Sequence, residues 1–122
     1  VGVLKRFATK RIPTIDPKYY IEVVAGMRGA VIGGTCRRAN IEGIEVCGKT
    51  GTAQNPHGRD HSAFMGFAPM NNPKIAVAVY VENGGFGAEY GVPIGSLMIE
   101  KYLKGEVKRT EMENQMMNSR IK

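Results

Sequence analysis

Apolar residues recur three or four positions apart between Asp16 and Ile32, which is the period of one face of an α-helix. Asp16-Pro17 is typical of a helix start, with Asp as the N-cap and Pro at the first helical position, and Gly33-Gly34 predicts the end. We therefore predict an amphipathic helix over about 16–32. Its apolar stripe consists of Tyr20, Val23, Val24, Met27 and Val31.

Three later stretches have the pattern of β-strands. Residues 44–54 alternate in polarity, residues 62–69 end at Pro69, and residues 74–82 are rich in Val and Ala. Only a short turn separates the last two stretches, so we expect antiparallel pairing and a three-stranded meander.

A second helix is predicted over about 90–104, with Gly105 beyond its end and Ile94, Leu97, Met98 and Tyr102 on its apolar face. The glycines at 84, 85 and 87 favour a tight turn before this helix. Residues 1–15 read as an extended basic segment and 106–122 as a polar, disordered tail. The order of elements predicts an α+β fold with helices packed on a sheet.

Size and composition limit the chain to one soluble globular domain, with 122 residues, 43% apolar and 23% charged. The longest apolar run, Ile75–Val81, is much shorter than a membrane span. The first residues have neither an initiator Met nor the apolar stretch of a signal peptide. We therefore expect the sequence to be a piece of a longer protein.

The net charge of +6 does not predict nucleic-acid binding, because the basic residues are scattered in pairs along the chain. Two cysteines form no disulfide framework, and Cys36 and Cys47 are too far apart in sequence for a zinc knuckle. We expect two buried thiols, two loop histidines (His57 and His61), and no metal site or cofactor.

The strongest local motif is Lys49-Thr50-Gly51-Thr52-Ala53-Gln54 in the first predicted strand. The Lys charge and the Thr hydroxyl suit a carboxylate, and Gly51 would let an extended peptide lie against the strand. The alternative interpretation of the same residues is an ordinary edge strand whose lysine is solvated and binds no ligand. Gly43–Thr50 also matches a phosphate-binding loop, G-x-x-x-x-G-K-[ST]. A phosphate loop needs a helix after it, and the sequence that follows Thr50 does not favour one.

Three motifs in order resemble the end of class B penicillin-binding transpeptidases, those of cell elongation in particular. They are Lys49–Gln54, Phe64–Pro69 and Asn71–Gly85, and the resemblance covers about 16–104. It implies the β-lactamase/transpeptidase-like fold, with 16–105 forming the C-terminal part of that domain. The family's motif set is S-x-x-K, S-D-N and K-T-G.

The resemblance also implies roles for the matching residues. Lys49 and Thr50 would hold the carboxylate of a peptidoglycan stem peptide or a β-lactam, and Gly51 would keep the strand open to the peptide. The Thr52 backbone N–H would contribute to the oxyanion hole during acyl transfer by a serine. The reaction crosslinks stem peptides and needs no cofactor.

The nucleophile motif departs from this pattern. The residues three positions after Ser62, Ser96 and Ser119 are Met65, Ile99 and Lys122, and only the last is a lysine, in the predicted tail. No S-x-N is present either. We expect this chain to lack the catalytic serine and to be inactive alone. A non-catalytic relative that binds wall peptides remains the alternative.

By resemblance, the complete protein has an upstream anchor in the bacterial inner membrane, faces the periplasm and works with the elongation machinery. The strand over 74–82 would pair with the upstream part of the same protein. We expect the isolated chain to dimerise through that edge.

Overall fold

The computed structural model describes residues 4–9 and 11–121. Expectations that rest on residues 1–3, Lys10 or Lys122 lie outside these residues. The elements, in chain order, are helices α1 (Lys5–Ala8) and α2 (Lys18–Ile32), a 3-10 turn (Arg37–Ala39), strands β1 (Cys47–Ala53), β2 (His61–Ala68) and β3 (Ile75–Val81), and helices α3 (Gly91–Lys104) and α4 (Thr110–Asn118).

The three strands form one antiparallel sheet in the order β1-β2-β3, which confirms the predicted meander. Phe64 of β2 lies opposite Thr50 of β1 and Val79 of β3. The first strand begins at Cys47 rather than near 44, because Gly43 adopts a left-handed conformation and Ile41 bridges to Ile44 in a local turn.

Helix α3 packs across β2 and β3 and buries one face of the sheet, the inner face. Phe64 is 2% exposed there, and three glycines lie against its ring. A Cβ atom built at Gly48, Gly66 or Gly95 would come within 2.5–2.7 Å of that ring. The aromatic side chain therefore occupies the volume that larger residues would fill at these positions. The core that includes Phe64 is completed by Val31, Cys36, Ala39, Ile41, Ile44, Val46, Ala68, Val92 and Ile99.

Helix α2 has the predicted N-terminal cap, but less of its apolar stripe is buried than predicted. The Asp16 carboxylate accepts a hydrogen bond of 3.0 Å from the Lys18 N–H, so Asp16 satisfies a free donor of the first turn. Among the stripe residues only Val31 is buried, whereas Tyr20 and Val23 are 38% and 57% exposed. The packing of α2 is mainly on β1 and the 3-10 turn, and residues 18–23 at its N-terminal end are exposed.

The buried face of α3 matches the predicted one only in part. Leu97 is buried as predicted, and Val92, Ser96 and Ile99 also face the core, while Met98 and Tyr102 are 53% and 64% exposed. Apolar residues occur on both sides of this helix, so periodicity alone did not identify the buried side. Packing of Gly95 against the Phe64 ring determines it. Gly105, with φ of 77°, ends the helix.

The tail expected to be disordered over 106–122 is helical over Thr110–Asn118. An ion pair fixes the start of this helix, because the Arg109 guanidinium lies 2.9 Å from the carboxylate of Glu100, which is 1% exposed. The same guanidinium donates to the Arg38 carbonyl at 2.9 Å. At the other end, Lys5–Ala8 forms a short helix within the segment expected to be extended.

Among the described residues, no helix has both the length and the apolar character that a membrane span requires.

We predict opposite effects of the same substitution at two helical glycines. Gly95→Ala should destabilise the protein by about 1–3 kcal/mol, because the new methyl group would overlap the Phe64 ring. Gly29→Ala, where nothing lies within 4 Å of the added atom, should stabilise it by up to about 1 kcal/mol. Denaturant unfolding of the two variants measures both values. Similar stabilisation by both would contradict the packing described for Phe64.

Candidate functional site

The motif Lys49–Thr52 lies on the free edge of the sheet. Strand β1 pairs only with β2 in the part of the chain that the structure describes. Its other edge therefore presents backbone N–H and C=O groups to which an extended peptide could pair. The strand continues through Ala53, so no helix begins at Thr50. The phosphate-loop hypothesis is therefore wrong, since it requires a helix there.

The side chain of Lys49 is exposed on the outer face of the sheet, opposite Met65. Its ammonium group donates a hydrogen bond of 2.8 Å to the carbonyl of Thr50, so the charge lies against the edge of β1. The charge is thus available to an anion that approaches this edge.

Thr50 is half-buried, and its side chain belongs to the opposite face of β1 from that of Lys49. Its hydroxyl lies 2.9 Å from the hydroxyl of Thr35. Sequence reasoning did not single out Thr35, which is fifteen residues earlier and belongs to no motif recognised there. The Gly33-Gly34 break after α2 is the one sequence feature that marks this region.

The glycine-rich loop after β3 packs closely against the motif strand on the inner face of the sheet. A Cβ atom at Gly87 would lie 2.7 Å from the Gly51 carbonyl oxygen, 3.0 Å from the Thr50 Cβ and 2.4 Å from the Ala63 carbonyl oxygen. Only glycine allows the loop to approach β1 this closely. The prediction of a tight turn at these glycines is therefore incomplete, because the loop also contacts the motif strand.

Thr52 is exposed near the end of β1, opposite Ser62 of β2. Ser62 itself is fully buried. Its hydroxyl donates to the Phe86 carbonyl at 2.9 Å and accepts from the Gly91 N–H at 3.0 Å. These bonds join β2 to the loop before α3 and to the first residue of α3, so Ser62 has a structural role and its oxygen is not free to attack a substrate.

A groove of about 930 Å³ separates α2 from the outer face of the sheet. Lys49 and Met65 lie on its sheet side, and Thr35 lies at the end where α2 stops. The helix side is mostly small or apolar and consists of Val23, Gly26, Met27, Gly29, Ala30, Gly33 and Gly34. The groove brings Thr35 and Lys49, from different segments, to one open surface.

Both cysteines are buried as expected, and Cys36 lies directly beside the motif. Burial raises the pKa of the Cys36 thiol, although hydrogen bonds to the Thr35 side chain and the Thr50 backbone and the charge of Lys49 act in the opposite direction. Burial likewise raises the pKa of Cys47, which Arg28 partly offsets and Glu45 reinforces. Both thiols are therefore neutral and poor nucleophiles near pH 7.

His57 lies in the loop after β1 as expected, whereas the expectation of a loop position is wrong for His61, which is the first residue of β2. His61 accepts a hydrogen bond of 3.0 Å at Nδ1 from the Asn83 N–H, and its ring packs 5.3 Å from that of Tyr80. The backbone of His57 donates to the Asn55 side chain at 3.1 Å. Within residues 4–9 and 11–121, no three His, Cys, Asp or Glu side chains form a group that could hold a metal ion.

Comparison with known proteins shows similarity to one family, the penicillin-binding transpeptidases. Residues 8–100 match the family described as penicillin binding protein transpeptidase domain. The Peptidoglycan D,D-transpeptidase PbpA of Mycobacterium tuberculosis is 41% identical in an alignment of 81 residues, with a coverage of 57% of this chain and 16% of that protein. MrdA of Haemophilus influenzae, also a peptidoglycan D,D-transpeptidase, is 33% identical in an alignment of 97 residues, with a coverage of 66% of this chain and 15% of that protein. The chain thus spans about a sixth of these relatives.

Solved structures show the same similarity. The structure of Pseudomonas aeruginosa PBP2 in complex with WCK 5153 matches 83% of this chain and 24% of its own chain, at 40% identity and a TM-score of 0.64. Penicillin-binding protein A from M. tuberculosis, as its imipenem acyl-enzyme complex, matches 73% of this chain and 20% of its own, at 36% identity and a TM-score of 0.65. The predicted fold, that of the β-lactamase-like transpeptidase domains, is confirmed.

We predict that neither thiol reacts readily with iodoacetamide in the native protein near pH 7. The thiolate is the reactive form, and burial both raises the pKa and blocks access. Alkylation, followed by peptide mass spectrometry, should become appreciable only well above the usual thiol pKa of about 8.5 or after denaturation. Rapid labelling of Cys36 in the native protein would contradict its burial beside the motif strand.

Proposed function

This chain belongs to the penicillin-binding protein transpeptidase domain family, and on that premise we propose that it forms the C-terminal part of a peptidoglycan D,D-transpeptidase. The observation that carries the proposal is the Lys49–Thr52 motif on the free edge of β1, within the region that matches the family. A strand edge with a fixed cation beside it suits a peptide that ends in a carboxylate.

The reaction is acyl transfer through a serine outside this chain. The serine oxygen attacks the carbonyl between the two terminal D-Ala residues of a stem peptide, forms an ester and releases the last D-Ala. The amine of a neighbouring stem then attacks the ester, so that a new amide forms and the serine is regenerated. The serines of this chain do not fit the role, since Ser62 and Ser96 are buried and bonded to backbone groups. Ser119 follows the end of α4, where its hydroxyl donates to the Gln115 carbonyl.

Each motif residue has a role along the edge of β1. The Lys49 ammonium and the Thr50 hydroxyl bind the terminal carboxylate, which they can approach from the two sides of the strand edge. Gly51 leaves space for the peptide backbone. The Thr52 N–H donates to the oxygen on which charge develops in the transition state, where a fixed donor is most effective.

The same geometry accommodates β-lactams, whose carboxylate takes the place of the stem-peptide carboxylate. The M. tuberculosis relative has been solved as acyl-enzymes with imipenem and with ceftriaxone, which supports this part of the proposal. The substrate lies outside the inner membrane. We therefore place the complete protein on the periplasmic face, with an anchor upstream of these residues and with the elongation machinery as its partner.

The outer edge of β3 is the predicted contact with the upstream part of the protein. Strand β3 pairs only with β2 among the described residues, and Ala76, Ala78 and Tyr80 on it are exposed. An apolar strand with a free edge favours pairing with another strand. In the isolated chain, a second copy would supply that strand.

We predict that Lys49→Ala slows penicillin acylation of the longest native chain containing these residues by about 10- to 100-fold. This range corresponds to the loss of one hydrogen bond to a charged group. The rate of covalent labelling measures it, with Lys74→Ala as the control, since Lys74 is an exposed lysine just before β3. An acylation rate unchanged in Lys49→Ala would refute the carboxylate role.

We also predict that the isolated 122-residue chain forms a dimer at high concentration, measurable by light scattering. Ala78→Lys should weaken the dimer, because it places a charge on the exposed face of β3. Met117→Lys, at an 80% exposed position of α4, is the control and should leave it intact. A monomer at every concentration would count against pairing through β3.

A further inference from the structure

Among residues 4–9 and 11–121, the Thr35 hydroxyl is the only side-chain oxygen from another segment that is hydrogen-bonded to the motif. We propose that Thr35 is a positioning residue, which acts on the ligand carboxylate through the hydroxyl of Thr50. This inference rests on the proposed role of Thr50 and adds a residue that lies outside the K-T-G motif.

The backbone around Thr35 is held in place by a tight turn at the end of α2. The N–H groups of Gly34 and Cys36 both donate to the Ala30 carbonyl, at 3.1 and 3.0 Å. A Cβ atom at Gly34 would lie 2.8 Å from the Ala30 Cα, so the turn is too close for a larger residue. Thr35 lies between these two anchored positions.

The next segment fixes Thr35 from the side of the core. Cys36 is fully buried and directly precedes the 3-10 turn. The Arg38 carbonyl in that turn accepts a hydrogen bond of 2.9 Å from Arg109, and the Ser96 hydroxyl of α3 lies 3.4 Å from it. The Arg38 side chain donates in turn to the Glu89 carbonyl at 3.3 Å. These contacts tie the turn to α3 and to the start of α4, so Thr35 does not depend on the ligand for its position.

The side chain of Thr50 is confined on two sides. Gly87 approaches its Cβ from the inner face, and the Thr35 hydroxyl lies 2.9 Å from its oxygen. Rotation of the Thr50 side chain would break the bond to Thr35. The pair therefore holds the Thr50 oxygen in one direction before a ligand arrives, which lowers the entropy lost on binding.

The direction of the hydrogen bond follows from the ligand's chemistry. A hydroxyl has one proton to donate, and an ionised carboxylate can only accept. When Thr50 donates its proton to the carboxylate, the bond between the two threonines must run from the Thr35 O–H to the Thr50 oxygen. Thr35 thus satisfies the Thr50 oxygen and leaves the Thr50 proton free for the ligand.

The test compares Thr35→Val with Thr35→Ser in the longest native chain containing these residues. Valine keeps the shape of threonine without the hydroxyl, and serine keeps the hydroxyl. The second-order acylation rate is measured by intact mass with benzylpenicillin and with its methyl ester, which has no carboxylate. Thr50→Val is measured beside them, and thermal unfolding monitors the fold.

We expect Thr35→Val to acylate about three- to tenfold more slowly with benzylpenicillin, the size of one neutral hydrogen bond, and Thr35→Ser to stay within about twofold of the wild type. With the methyl ester, Thr35→Val should match the wild type. In a double variant with Thr50→Val, the Thr35→Val effect should disappear, since it acts through that hydroxyl. If the valine variant does not fold, Thr35→Ala gives the same comparison.

The other outcomes overturn the inference in distinguishable ways. Equal losses with both ligands would mean that Thr35 only maintains the fold, and no loss with benzylpenicillin would mean that it does not assist Thr50. If Thr50→Val itself leaves the benzylpenicillin rate unchanged, the proposed role of Thr50 fails and that of Thr35 with it. A wild type that forms no adduct would reject the proposed function.

Discussion

The fold depends on the contact of one aromatic ring with positions that must be glycine. Phe64, in the central strand, is 2% exposed, and the ring leaves no room for a Cβ atom at Gly48, Gly66 or Gly95. Burial of a Phe side chain contributes about 1.5–3 kcal/mol, more than the modest cost of each glycine in a strand or helix. The ring thus joins β1, β2 and α3, and any larger residue at these glycines would separate the sheet from the helix.

This contact also determines the position of the edge of β1 that carries the Lys49–Thr52 motif. Because α3 sits close to the sheet at Gly95, the loop that leads into it passes directly behind β1, where Gly87 contacts the motif. The inner side of the motif is therefore filled by protein, while its edge and outer face are open. A site built on a strand supported in this way holds its donors in fixed directions, which favours both peptide pairing and charge stabilisation.

The sequence predicts the features that depend on neighbouring residues. The meander follows from strand periodicity and short turns, and the start of α2 follows from Asp16-Pro17. Features that depend on distant partners are not predictable in this way. Periodicity identified the apolar stripe of α2 but could not show that Tyr20 and Val23 lack a covering element here, and it placed the exposed Met98 and Tyr102 on the buried face of α3. Helix α4 depends on the ion pair between Arg109 and Glu100, and Thr35 on a contact across fifteen residues.

The motif residues themselves could be found from the sequence, but their environment could not. The most direct test of the account is the intact mass of the longest native chain containing these residues, with and without a penicillin. We predict a stable increase by the mass of one drug molecule in that chain, and none in the 122-residue chain, which supplies the motif strand without the nucleophile. A folded long chain that remains unmodified would contradict the account and favour a domain that binds wall peptides without acyl transfer.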